Sequence, residues 1–272
     1  MFTPKYAQRI ICLTEEGTEL LYAINQQHRL VGISGFTYRP PQARKEKPKV
    51  STFLDAKFDE IAALEPDLVI GYSDMQADLA AELIRKGIEV YIFNHHSVQG
   101  ILDFILKFTT LIGNKKEGQA LLDHYQDNLE NAYLLGKQLP FSPLVFFEEW
   151  DEPIMSGSTW VMELIEICGG KLAMPELKPH FHAKNRITTL ENYVESNPDL
   201  ILGSWCGKMF KPEKVIQREG FDQITAIKHH QVFEIKSELI LQPGPAALTD
   251  GLANLKKYIH QAAMYYHEKW LL

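Results

Sequence analysis

Three cysteines in 272 residues, Cys12, Cys168 and Cys206, are too few and too widely spaced to staple a disulfide scaffold. No apolar run approaches the length of a membrane span, and no low-complexity tract interrupts the chain. Basic residues are scattered rather than clustered and the net charge is −7, which argues against nucleic acid as a partner. Residues 1–8 lack an apolar signal core and a small-residue cleavage site. The expectation is therefore a cytoplasmic chain, or a periplasmic one if the sequence is a processed form. Metal-ligand spacing is also missing. His95 and His96 are adjacent and would point opposite ways on an extended strand, and His180, His182, Glu149 and Cys206 share no tight motif, so no metal site is expected. No oriented base can be identified for Cys206, the best candidate nucleophile, so no catalytic residue is assigned and the chain reads as a non-enzyme.

What is present is a strand–helix alternation on both sides of one long amphipathic segment. Over residues 115–137, Leu121, Leu122, Tyr125, Leu129, Ala132 and Tyr133 recur at helical spacing, Asn114 can cap the first turn, and Gly136 followed by Pro140 is read as the end. Before it, strands are expected over 9–13, 30–34, 68–71 and 90–94, with helices over 18–24, 58–64, 76–86 and 98–112 and a Pro-rich basic loop over 36–49. After it come strands over 144–147, 200–203 and 232–235, and helices over 160–168, 190–196, 213–218 and 248–271. This pattern predicts an α/β fold of two Rossmann-like lobes bridged by one long helix, with the ligand cleft between the lobes. The expected boundaries are 1–113 for the first lobe, 114–139 for the bridging helix and 140–272 for the second lobe.

An internal repeat supports two related halves. The segment at 58–71, ending Glu65-Pro66-Asp67-Leu68-Val69-Ile70-Gly71, is echoed at 190–203 by Asn197-Pro198-Asp199-Leu200-Ile201-Leu202-Gly203. Each is a short helix, a Pro-Asp turn and an apolar strand closed by glycine.

These segments, with the opening at 9–24 that includes Thr18-Glu19-Leu20-Leu21 and the later Ser156-Gly157 and Glu163-Leu164-Ile165-Glu166-Ile167-Cys168-Gly169-Gly170, resemble the cobalamin and ferric-siderophore substrate-binding proteins of ABC importers, and the cobalamin branch most. The resemblance runs over almost the whole chain. It implies two lobes flanking a long helix, and the role of a solute receptor. The ligand would be a macrocycle such as cobalamin or another corrinoid, or a ferric chelate, with no covalent cofactor, an ABC permease as partner and a monomeric chain. Three segments depart from the family pattern: Glu148-Glu149-Trp150-Asp151, Ser204-Trp205-Cys206-Gly207-Lys208 and Leu241-Gln242-Pro243-Gly244-Pro245. They keep open an alternative, a cytoplasmic enzyme or carrier that reuses the fold on a small polar ligand with Cys206 in the cleft and Lys208 lowering its pKa.

Ligands of open α/β sheets bind beyond the carboxyl ends of the strands. The residues following the expected strands are therefore the candidates: Phe36, Tyr38 and Tyr72, with Phe53 where cobalamin binders place an aromatic wall, then Glu149, Trp150, Trp160, Trp205, Cys206 and Lys208. A flat macrocycle suits aromatic walls with a few orienting polar groups. Polar neighbours on both sides suggest that Trp150 and Trp205 face the cleft; for Trp160, core packing competes with ligand contact. Asp59 and Glu191 hold equivalent places in the two repeats, seven residues before the turn proline. The resemblance gives such acids, one per lobe, the role of docking on permease arginines; a simpler account is that acids favour the first turn of a helix.

Overall fold

The computed structural model describes residues 3 and 5–271, Trp270 by its backbone only. The chain divides into two compact units, and the division falls inside the long helix, between His124 and Tyr125. The first unit takes the chain up to His95 together with Gln99–His124; the second takes His96–Val98 and the chain from Tyr125 onward.

The first unit runs β1 (Ile10–Cys12), α1 (Glu15–Ala23), β2 (Leu30–Ser34), α2 (Ala43–Glu46), β3 (Lys49–Ser51), α3 (Phe58–Ala63), β4 (Leu68–Tyr72), α4 (Ala77–Arg85), β5 (Val90–Phe93) and α5 (Val98–Leu111). Its five strands are all parallel in the order β3-β2-β1-β4-β5. Ile11, Leu13, Val50, Ile61, Val69, Leu79 and Leu83 build a core on the sheet. The stretch read as a loop over 36–49 in fact holds α2 and leads into the edge strand β3. Helix α1 starts three residues earlier than its apolar pattern suggests, which draws Glu15 and Glu16 into its first turn.

Helix α6 (Lys115–Lys137) has the expected bounds and passes from one unit into the other. Its buried face is Gly118, Leu122, Tyr125, Ala132 and Gly136; Tyr133, one residue off that face, is exposed. Gly136 does not end the helix. A Cβ there would stand 2.7 Å from the backbone nitrogen of Gly169, so the residue is a point of backbone contact. Asn114 turns its side-chain oxygen to Arg29 at 2.9 Å.

The second unit continues with β6 (Leu144–Asp151), β7 (Ile154–Ser156), α7 (Thr159–Ile167), β8 (Lys171–Leu172), α8 (Leu190–Ser196), β9 (Leu200–Gly203), α9 (Pro212–Ile216), α10 (Thr225–Lys228), β10 (Val232–Glu234), α11 (Ser237–Ile240) and α12 (Leu252–Trp270). The sheet order is β10-β9-β6-β7, with β8 also on β6; only the β6–β7 pair is antiparallel. The short strands β7 and β8 were not anticipated, since two or three residues carry no period of their own.

The repeat has a structural reason in each unit. Asp67 accepts from the backbone of Gln8 and Arg9 at 2.6 and 2.8 Å, at the start of β1. Asp199 accepts from Leu144 at 2.8 Å, at the start of β6. Each Pro-Asp turn thereby clamps the strand beside the one it begins. The closing glycines are equivalent too. A Cβ on Gly71 would lie 2.5 Å from Gln76 Oε1, and one on Gly203 would lie 1.8 Å from the Phe210 ring. Both make room for a side chain folding back from the next loop.

Candidate functional site

In the first unit the chain turns one way from β1 to β2 and β3, and the other way to β4 and β5, so the switch point lies between β1 and β4. Glu15 and Glu16 follow β1 there, each only 2% exposed. Glu15 Oε2 accepts from the Tyr38 backbone N–H at 2.6 Å, and Glu16 Oε1 accepts from the Thr14 hydroxyl. Their other oxygens, Glu15 Oε1 and Glu16 Oε2, are buried without a hydrogen-bond partner. Burial pushes Glu15 up to about 8, only partly countered by the Tyr38 N–H and Arg39, and pushes Glu16 up to about 7.

Glu15 thereby anchors a loop that is otherwise held by arginines. Arg44 Nη1 donates to the carbonyls of Gly35 and Thr37 at 2.7 and 2.8 Å, and its guanidinium sits 4.8 Å over the Tyr38 ring. Arg39 pairs with Glu19 at 3.0 Å. The loop leaves Phe36 49% and Tyr38 51% exposed. Phe53 is half-buried, and Gln76 links its carbonyl to the Tyr72 backbone N–H, both at 2.9 Å. Tyr72 itself does not form the expected wall. It is 8% exposed, its hydroxyl donates to the His95 carbonyl at 2.8 Å, and its ring meets the His95 imidazole edge-on.

In the second unit the C-terminal half of β6 is dominated by ion pairs that sequence reading missed. Glu148, fully buried, takes both Arg218 nitrogens at 2.6 and 2.8 Å and the Trp205 indole N–H at 3.0 Å. Glu149 takes Arg186 at 3.0 Å and also accepts from the backbone N–H and hydroxyl of Ser158, at the N-terminus of α7. Arg186 and Arg218 lie 37 and 70 residues from their acids, and no local spacing could announce them. Gln76 and Arg44, which order the first unit's loops, were missed for the same reason.

Trp205 is corrected to a core residue: it is 2% exposed and packs on Phe210 with ring centroids 5.0 Å apart. Its polar neighbours misled because Glu148 satisfies its one polar atom from inside. Trp160 is buried as well, donating to the Ile240 carbonyl at 2.9 Å. Trp150 stays half-buried at the strand end with its N–H on the Glu152 carbonyl. Lys208 places its ammonium 4.1 Å from the Trp150 ring centre and 5.0 Å from that of Trp205, and pairs with Asp151. With that charge so occupied it does not activate Cys206. The thiol is exposed, and desolvation followed by the Glu149 carboxylate pushes its pKa up rather than down.

Asp59 and Glu191 both stand exposed on the first turns of α3 and α8; Glu191's acidity is raised by hydrogen bonds from its own backbone N–H and from Thr189. Of the histidines, His95 stacks on Phe104 and His96 on Phe181. Among the described residues no group of three or more His, Cys, Asp or Glu is arranged to hold a metal ion.

The chain belongs to the periplasmic binding protein family, whose model matches residues 10–239. Relatives include an ABC transporter substrate-binding lipoprotein of Bacillus subtilis, 26% identical over 94% of this chain and 81% of that protein. A vitamin B12-binding protein of Vibrio campbellii is 24% identical over 87% of this chain and 84% of its own length. Among solved structures, the periplasmic vitamin B12-binding protein of Vibrio cholerae superposes with a TM-score of 0.73 at 22% identity, covering 95% of this chain and 99% of that one. A periplasmic haem-binding protein of Roseiflexus gives a TM-score of 0.81 at 19% identity, covering 94% and 99%. The two α/β units and the long helix are therefore the fold of this family. These relatives are binding proteins, not enzymes. The lipoprotein and the periplasmic proteins among them lend no support to the cytoplasmic location expected from residues 1–8.

Proposed function

We propose that this chain is the solute receptor of an ABC importer for a flat macrocycle, with a corrinoid as the first candidate and a haem or ferric chelate as the second. One observation carries the reading: Phe36 and Tyr38 lie about half exposed beyond the strand ends of the first unit, on a loop braced by Glu15 and Arg44. Exposed aromatics on a braced backbone offer stacking area at little cost in ordering. Phe53 joins them in the first unit, and Trp150, Glu149 and Lys208 are the candidate contacts that the second unit carries. The named ligands of the relatives, vitamin B12 and haem, favour a macrocycle over a small polar solute. Asp59 and Glu191 are the proposed docking acids for a permease, and the proposed location follows the relatives, outside the cytoplasmic membrane. The enzyme alternative is not favoured, because the relatives are binding proteins and desolvation with Glu149 raises the Cys206 pKa rather than lowering it.

Titration with cobinamide, cobalamin and haemin, followed by calorimetry and ligand absorbance, tests this. Dissociation constants in the micromolar range or tighter are expected for at least one of them, weakened about tenfold or more in Tyr38→Ala, as loss of a buried aromatic contact implies. Flat titrations with all three would overturn the reading.

A further inference from the structure

We propose that Glu15 is a positioning residue for the ligand-facing loop, whose buried carboxyl holds the backbone at Tyr38 more firmly when ionised than when protonated. The inference rests on the receptor reading for its consequence and on geometry for its substance. Glu15 is 2% exposed, its Oε2 lies 2.6 Å from the Tyr38 nitrogen, and its Oε1 is buried with no partner. The unpartnered Oε1 in a dry setting costs free energy that a fully satisfied anchor would not.

The groups that surround this carboxyl decide its charge. On α1 it faces Glu16 and Glu19, which disfavour ionisation; on the loop it faces Arg39 and the Tyr38 N–H, which favour it. Arg39 is itself shared with Glu19. Cys12 on β1 is a neutral, buried thiol whose pKa is pushed far up by burial and then by Glu16. One arginine is thus set against two neighbouring acids, and with burial this places the proton on Glu15 near pH 8. When the proton leaves, the Tyr38 bond becomes charge-assisted and the loop that presents Phe36 and Tyr38 tightens. Binding of a stacked ligand then requires less ordering.

The direct test is an amide titration of 15N-labelled protein without ligand, from pH 6 to 9. The Tyr38 amide shift is expected to move in one step centred near 8, to lose that step in Glu15→Gln, and to keep it in Glu16→Gln at a lower midpoint. Cobinamide affinity should tighten about threefold to tenfold across the same step in the wild type and stay flat in Glu15→Gln. A Tyr38 amide that does not titrate, or a step that survives Glu15→Gln, overturns the proposal. A Tyr38 step in a protein that binds no macrocycle overturns the receptor reading instead and leaves the Glu15–Tyr38 coupling standing.

Discussion

Glu15 and Glu148 occupy comparable places, Glu15 just past the central parallel strand β1 and Glu148 where the parallel pairing of β6 with β9 ends, and each is almost sealed from water. Glu148 meets a bidentate arginine and an indole N–H, so its charge is balanced on the spot. Glu15 meets one backbone N–H at close range and shares a more distant arginine with Glu19. The first arrangement is a finished structural network. The second is left incomplete, and unfinished polar groups in an otherwise consistent fold mark functional positions. The aromatic side chains agree. Beside Glu148, Trp205 is closed into the core, while on the loop that Glu15 holds, Phe36 and Tyr38 stay open.

The largest effect should come from breaking the finished network. Arg218→Met leaves a fully buried carboxylate with neutral neighbours alone, the Trp205 indole N–H and the Tyr193 hydroxyl, and removing one partner of a buried pair costs about 3–5 kcal/mol. Denaturant unfolding should show this, with most of the loss recovered in the Arg218→Met, Glu148→Gln double variant. If the single variant falls by under about 1 kcal/mol, the two networks do not differ as described.

The opposite sign is expected at Glu15. Its carboxyl ordinarily titrates at 4.5 and does so at about 8 in the folded chain. Below 4.5 both states are protonated and the residue is neutral. Between 4.5 and 8 the unfolded chain releases the proton while the folded chain retains it, so stability falls as pH rises across that window and levels off above it. Glu15→Gln should therefore stabilise by a few kcal/mol at pH 8.5 and by nothing measurable at pH 4. Melting curves at the two pH values check it; an equal change at both would remove ionisation from the account.

The contrast between these sites also explains what could be read from the sequence. The long helix and both Pro-Asp strands rest on local signals, namely periodicity, a turn proline and a closing glycine, and they were located to within a residue or two. Phe36 and Tyr38 were legible because loop position alone brings them to a strand end. Trp205 and Tyr72 were misread because burial depends on Glu148 and on the His95 carbonyl, both remote in sequence. Arg186 and Arg218 escaped for the same reason. Ion pairs across 37 and 70 residues leave no trace in a single chain.

A smaller effect tests the likeness of the two units rather than their difference. Asp67 and Asp199 clamp the starts of β1 and β6 from the same place in each repeat. Replacing either with alanine should destabilise by about 1.5–2 kcal/mol, the lower end of the range for a hydrogen bond to a charged group. Asp67→Ala should be the more costly, since it releases two N–H groups where Asp199→Ala releases one. The reverse ranking would mean that burial of Asp199, which raises its pKa, outweighs the count of bonds.

The smallest effect is expected at the paired surface acids. Asp59 and Glu191 stand in open solvent, and among the described residues the only ion pair found for either is a long contact, 3.9 Å, between Asp59 and Lys86. Alanine at either position should change stability no more than exposed sites usually do. The Glu191 variant should show the larger share, because that side chain accepts from its own backbone N–H and from Thr189 at the start of α8. Acids that do so little for folding, yet recur at one place in both units, are suited to an outside partner with matching cations. If they dock on a permease as proposed, the double variant should fold and bind ligand as the wild type does, and lose affinity for that permease in a salt-dependent manner. A double variant that binds a permease unchanged would reduce the two acids to helix-end charges.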